Sequence, residues 1–245
     1  MVGFFDSGIG GTCILEAFKA LCPDESTVYI ADTVHCPYGN RPLDEIRAIS
    51  EQNVKRLISE YGVKMVVVAC NTATAAAIDS LRLEYPEMPF VGIEPAIKPA
   101  ALESKTGVVG VLATAGTFSG RLYRETKAKF AKDVTLIASV ADEFVALAER
   151  IWRGQEEPLS PSTLEIVHRR LEPLLAAGAD RIVLGCTHFP LLKAPIEAVA
   201  RGRASIVDPA SSVARQARRL LESRSLLAPK GTRALHIFLE NKPPS

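Results

Sequence analysis

The chain has 245 residues, with 29 basic side chains against 28 acidic ones and a net charge of +1. That balance excludes nucleic-acid binding driven by a basic surface, and 47% apolar with 23% charged residues excludes a disordered chain. At roughly 100–200 residues per domain, the length fits one large or two small domains whose core needs no disulfide framework.

Short apolar runs alternate with longer amphipathic stretches. Strands are predicted at Val2–Phe5, Thr27–Ala31, Met65–Ala69, Pro89–Ile93, Gly107–Leu112, Val134–Ala138, Arg181–Leu184, Ser205–Val207 and Ala234–Leu239. Met65–Ala69 and Val108–Leu112 are apolar throughout rather than alternating, as strands of a parallel sheet covered on both faces are. Between strands, residues 42–61 place Ile46, Ile49, Val54, Leu57, Ile58 and Tyr61 at near-helical spacing, with Pro42 ahead and Gly62 behind as start and stop. Residues 160–177 open on Ser160-Pro161, carry Leu164, Val167, Leu171, Leu174 and Leu175, and close at Gly178. This alternation predicts an α/β fold with ligands at the carboxyl ends of the strands.

One internal repeat stands out. Val66-Val67-Val68-Ala69-Cys70-Asn71-Thr72 resembles Ile182-Val183-Leu184-Gly185-Cys186-Thr187-His188, about half a chain length later. A fainter echo pairs Gly3–Gly8 with Gly110–Gly116. The expectation is two related α/β halves, each offering one cysteine at a strand end, with the two thiols on opposite walls of one cleft.

The five cysteines, Cys13, Cys22, Cys36, Cys70 and Cys186, are odd in number and irregularly spaced, a poor disulfide framework. Met1–Phe5 has no basic leader region and no apolar run reaches about 18 residues, so a cytoplasmic protein with reduced thiols and no membrane span is expected. Cys13 and Cys22 read as small core residues. Cys70 and Cys186 stand before predicted helix N-termini, where unpaired N–H groups and the helix dipole favour a thiolate. No C-x₂-C or H-x₃-H spacing supports a metal site.

Asp6-Ser7-Gly8-Ile9-Gly10-Gly11 forms a glycine-rich turn after the first strand. Cys13 occupies the place of the third glycine of a dinucleotide fingerprint, and no Walker lysine is present. Asp6 is then either a helix cap or a proton-handling acid beside a cysteine. Asp32 to Gly39 ends in the turn Pro37-Tyr38-Gly39-Asn40. Thr114 and Thr117 follow the fifth strand as possible caps, and His188, two residues past Cys186, is either a hydrogen-bonded core residue or a partner that polarises the thiol.

These motifs together resemble the cofactor-independent aspartate/glutamate racemase superfamily, in its glutamate racemase branch. Phe5–Gly11, Pro37-Tyr38-Gly39, Ala69-Cys70-Asn71-Thr72-Ala73 and Gly185-Cys186-Thr187-His188-Phe189-Pro190 carry the resemblance, supported by Gly92–Ala96, Ala113–Thr117 and Ile206-Val207-Asp208. The resemblance implies two pseudo-symmetric three-layer domains, 1–95 plus 208–245 and 96–207, each a mostly parallel sheet flanked by helices, with the active site in the cleft between them. It implies a cytoplasmic homodimer that interconverts L- and D-glutamate without a cofactor and supplies D-glutamate to peptidoglycan synthesis, with no nucleic-acid or membrane partner and no metal. Cys70 and Cys186 would be the two bases, one thiolate and one thiol at any moment. Asp6 would assist Cys70, His188 would assist Cys186, and Glu149 would stand near His188. Substrate would be held by Ser7, Pro37, Tyr38, Gly39, Asn71, Thr72, Thr117, Thr187 and His188. Glu143 and Asp142 are alternatives to Glu149, because the segment Ala138–Glu143 departs from the family pattern. The early end at Ser245 leaves out a last helix usual in the family, and a start at the first strand predicts no activator-binding extension. A racemase of aspartate or hydantoin, a related decarboxylase, a catalytically silent binding module and a phosphate or nucleotide site at Gly8–Gly11 are the competing readings.

Overall fold

The computed structural model describes residues 1–130 and 134–241. In chain order the first elements are β1 (Val2–Asp6), α1 (Thr12–Leu21), β2 (Thr27–Ala31), α2 (Leu43–Tyr61), β3 (Met65–Val68), α3 (Asn71–Glu84) and β4 (Phe90–Gly92). There follow α4 (Ile97–Glu103), β5 (Val108–Ala113), α5 (Ala115–Ser119), α6 (Arg121–Phe130), β6 (Thr135–Val140), α7 (Glu143–Trp152) and α8 (Pro161–Ala176). The chain ends with β7 (Arg181–Gly185), a 3₁₀ turn at Phe189–Leu192, α9 (Lys193–Ala200), β8 (Ser205–Val207), α10 (Ala210–Ser223) and β9 (His236–Glu240). The nine predicted strands all form, with ends displaced by up to two residues. Val134 of the sixth lies just outside its strand, which instead runs on to Val140.

Two compact units result: Met1–Ile93 with Ala210–Ser245, and Glu94–Pro209. The first holds a five-stranded sheet in the order β4-β3-β1-β2-β9, the second a four-stranded sheet in the order β6-β5-β7-β8. All strand pairs are parallel. Read from β4 to β2 and from β8 to β6, the two orders are the same, so β1 corresponds to β5 and β3 to β7. These are the two pairs that the sequence repeat matches.

In each sheet the chain leaves its first strand on one side and returns on the other. The strand order therefore reverses between β1 and β3, and between β5 and β7. In open α/β sheets ligands bind in the crevice at such switch points, outside the carboxyl ends of the strands. Asp6 ends β1 and Cys70 follows β3 by two residues, whereas Thr114 follows β5 and Cys186 follows β7 directly.

The core explains why the sequence folds this way. Every residue of β1, β2 and β3 is buried, which matches their unbroken apolar runs. The edge strands β6 and β9 are half exposed instead. Helix α1 turns Ile14, Leu15 and Phe18 onto the first sheet, where Phe18 meets Phe4 edge to face at 5.3 Å; burying each such side chain is worth about 1.5–3 kcal/mol. Helix α2 ends on Gly62 in the left-handed conformation, φ 56°, and the Gly62 N–H closes on the Ile58 carbonyl at 3.1 Å. Helix α8 opens on Ser160, whose hydroxyl accepts from the Thr163 N–H at 3.2 Å. No helix among the described residues is long and apolar enough to cross a membrane.

Candidate active site

The first unit collects its polar residues at the ends of β1, β2 and β3. Asp6, fully buried, accepts the Gly11 N–H on Oδ2 at 2.7 Å, so the acid closes the glycine turn. The Tyr29 hydroxyl donates to the Gly8 carbonyl at 2.9 Å and also lies 3.4 Å from Asp6 Oδ2. A Cβ on Gly11 would stand 2.8 Å from that hydroxyl and 2.9 Å from the Ala69 carbonyl oxygen, which is why glycine is required there. The Ser7 hydroxyl reaches Asp6 Oδ1 at 3.5 Å and receives the Cys70 thiol at 3.6 Å. Thus Asp6 both closes the turn and connects through Ser7 to a cysteine.

Cys70 is the N-cap of α3, in extended conformation, with Sγ accepting the Ala73 N–H at 3.5 Å. Its thiol is pushed up to about 12, first by burial and second by the negative charge of Asp6, against the N–H groups of Ala73 and Ser7 and the Ser7 hydroxyl, which favour the thiolate. The helix N-terminus acts as expected, since the Ala73 N–H favours the thiolate, but desolvation and a like charge outweigh it.

Tyr38 is 2% exposed, and its hydroxyl donates to Asp32 Oδ2 at 2.5 Å. Burial, and then the Asp32 charge, hold this phenol far above its ordinary value, so it stays protonated with its proton already committed. Neither the Tyr38 nor the Gly39 N–H donates to a backbone acceptor among the described residues. Pro37 is exposed and Gly39 buried in the same turn. Asn71 and Thr72 are each 4% exposed, and neither amide atom of Asn71 has a partner among the described residues. Buried polar groups are nearly always satisfied, so this side chain marks a place where a polar ligand group fits.

The second unit builds its counterpart on β5, β7 and α7. Cys186, Thr187 and His188 are all buried. His188 Nε2 lies 2.9 Å from Glu149 Oε1, and Arg153 sits 3.3 Å from the other carboxylate oxygen. Of the three candidate acids, Glu149 is the one at His188: Asp142 accepts the Ala115 N–H at 3.1 Å, and Glu143 pairs with Arg170 at 2.5 Å. Phe144 on α7 packs edge to face on Phe189 at 5.3 Å, fixing α7 against the segment that follows Cys186. The Thr114 hydroxyl caps α5 by accepting the Thr117 N–H at 3.4 Å and lies 3.1 Å from the Thr117 hydroxyl. Cys186 differs from Cys70 in one respect. No α-helix starts at it; the chain runs through Thr187 and His188 into the 3₁₀ turn Phe189–Leu192 before α9 begins. The expectation of a helix N-terminus directly after Cys186 is corrected accordingly.

Two residues without a role in the sequence analysis belong to this picture. Tyr29 supports the Asp6 turn and Asp32 holds Tyr38. The only available signal was position, since both lie on or directly after β2, the strand that pairs with β1.

The comparisons with known proteins bear on this arrangement. A model of the Asp/Glu/hydantoin racemase family matches residues 12–217. Glutamate racemase from Herpetosiphon aurantiacus is 46% identical over 229 residues, spanning 94% of this chain and 87% of that one. The chain belongs to the Asp/Glu/hydantoin racemase family, among its glutamate racemases. Solved racemases agree in fold. A glutamate racemase isoform from Bacillus anthracis gives a TM-score of 0.86 at 27% identity, covering 99% of this chain and 89% of that one. Escherichia coli glutamate racemase, in complex with L-glutamate and an activator, UDP-MurNAc-ala, gives 0.83 at 31% identity, covering 99% of each chain. Racemases are isomerases, and so is this protein.

Proposed function

We propose that the protein interconverts L- and D-glutamate by a two-thiol proton transfer, with Cys70 and Cys186 serving opposite faces of the substrate α-carbon. The observation that carries this reading is the placing of both cysteines after equivalent strands, β3 and β7, each at the switch point of its own sheet. One sulfur, as thiolate, takes the α-proton; the other, as thiol, returns a proton to the opposite face, so the two exchange protonation states in each turnover. Asp6, through Ser7, handles the proton of Cys70. Glu149 holds His188 in one orientation, and His188 assists Cys186.

The carboxylates of the substrate fit the donors of Ser7, Asn71, Thr72, Thr117 and Thr187 and the N–H groups of Tyr38 and Gly39. Because the Tyr38 hydroxyl is committed to Asp32, Tyr38 serves through its backbone. Hydroxyls, amides and N–H groups bind an anion without a large positive field, consistent with the net charge of +1. The family resemblance supports a cytoplasmic homodimer that supplies D-glutamate to peptidoglycan synthesis.

The test is solvent deuterium exchange at the α-carbon of L-glutamate, D-glutamate and L-aspartate, run side by side without added cofactor. Exchange from both glutamate enantiomers is expected, with loss of racemisation in Cys70→Ser and in Cys186→Ser. Exchange from aspartate alone would move the protein to another branch of the family, and full turnover in either variant would refute the two-base assignment.

A further inference from the structure

Asp32 is fully buried and stands one residue beyond β2. Its N–H donates to the Asp6 carbonyl at 2.9 Å, which ties it to the strand end that carries the catalytic acid. Its carboxylate gathers three partners, two from its own loop and one from far along the chain. The Tyr38 hydroxyl donates to Oδ2 at 2.5 Å, and His35 Nδ1 lies 2.9 Å from each oxygen. The third is Asn241, 209 residues away in sequence, whose Nδ2 donates to Oδ1 at 3.3 Å.

Asn241 is itself firmly tied. Directly after β9, its N–H donates to the Ala31 carbonyl at 3.0 Å, its carbonyl accepts the Thr33 hydroxyl at 2.6 Å, and its Oδ1 accepts from Arg56 Nη1 at 3.0 Å. These bonds fix the amide, and the amide fixes Oδ1 of Asp32. A carboxylate with donors on both oxygens has little rotational freedom. The Tyr38 ring then has one place to go, because a buried phenol needs a partner for its proton.

We propose that Asp32 is a positioning residue for the Pro37-Tyr38-Gly39 turn, and that Asn241 is the latch that holds Asp32 in place. The pair does not touch the reacting carbon. It sets the direction of the Tyr38 and Gly39 N–H groups, and so governs how tightly a substrate carboxylate is held rather than how fast a proton moves. This rests on the reading that the turn receives a carboxylate of glutamate.

The experiment measures KM and kcat for glutamate in Asn241→Ala, Asp32→Asn, Tyr38→Phe and the Asp32→Asn/Tyr38→Phe double variant, with crystal structures of Asn241→Ala and Asp32→Asn. Each single substitution is expected to raise KM about five- to tenfold, as loss of a charge-assisted hydrogen bond would, with kcat within about twofold. If Asp32 acts through Tyr38, the double variant shows no further rise in KM over Tyr38→Phe alone, whereas a merely structural role would make the two effects multiply. The crystal structures are expected to show turn 37–39 displaced. Unchanged KM in both Asn241→Ala and Asp32→Asn, multiplying effects in the double variant, or an unmoved turn in both structures would each overturn the proposal. A wild-type protein that exchanges no glutamate proton would overturn the racemase reading instead, leaving the position of the turn to decide on the latch.

Discussion

Asp6→Asn is expected to make Cys70 more reactive and the enzyme slower. The Cys70 thiol stands at about 12 against an ordinary 9.0, a rise of about three units, or about 4 kcal/mol against forming the thiolate at about 1.36 kcal/mol per unit. Burial is the larger cause and the charge of Asp6 the second, while the Ala73 and Ser7 N–H groups and the Ser7 hydroxyl work the other way. A nearby negative charge disfavours a second one, so neutral Asn lowers the thiol value. The thiolate fraction at pH 8 then rises, by about tenfold for each pH unit that the titration midpoint falls. Racemisation falls nonetheless, because a thiolate of lower pKa is a weaker base toward a very weakly acidic α-proton, and the acid that handles the thiol proton is gone. The assay is the rate of Cys70 alkylation by iodoacetamide across pH, read by peptide mass spectrometry, beside turnover of glutamate. An unchanged or raised alkylation midpoint would refute the electrostatic reasoning. A rise in turnover would refute the role given to Asp6.

Two further outcomes are expected. Because the folded value of Cys70 lies above its ordinary one, its contribution to stability is fully present below about pH 9 and is lost as pH rises toward 12. Urea melts at pH 9 and 11 should therefore show the wild type losing about 2–3 kcal/mol more than Cys70→Ser, and equal losses would contradict the buried, protonated thiol. Gly11→Ala forces a methyl group to within 2.8 Å of the Tyr29 hydroxyl, an overpacking that costs about 1–3 kcal/mol. Its Tm should drop by several degrees and its turnover with it; an unshifted Tm would show that the turn has room to give.

Much of the fold is legible because its signals are local. The unbroken apolar runs of β3 and β5 announce a covered parallel sheet, and Gly62 and Ser160 end and begin helices where their backbone chemistry allows. The repeat around Cys70 and Cys186 points to equivalent strands before any coordinates are consulted. What escapes the sequence is tertiary. Cys70 and Cys186 sit in similar strings, yet one caps a 14-residue helix while the other precedes a single 3₁₀ turn. The direction of the Cys70 shift depends on burial, which no window of residues reports. The phenol of Tyr29 bonds a carbonyl 21 positions earlier, and Asn241 meets Asp32 across 209; neither separation leaves a periodic trace. The choice of Glu149 over Glu143 and Asp142 needed the helix register of α7 and the partners that claim the other two acids.

The unsatisfied carboxamide of Asn71 has a consequence for how the protein responds to its ligand. A buried donor or acceptor left without a partner costs about 1–3 kcal/mol, and neither end of this amide meets a protein partner among the described residues. The side chain stands on the first residue of α3, next to Cys70, where the proposed substrate would meet it. A ligand that supplies both a donor and an acceptor, as the ammonium and carboxylate groups of an amino acid do, would satisfy both ends of this amide. On the proposed reading, replacing Asn71 by a residue of similar shape without polar atoms would leave folding nearly unharmed and loosen the hold on the substrate, which sets the demands of folding and of binding against each other at a single side chain.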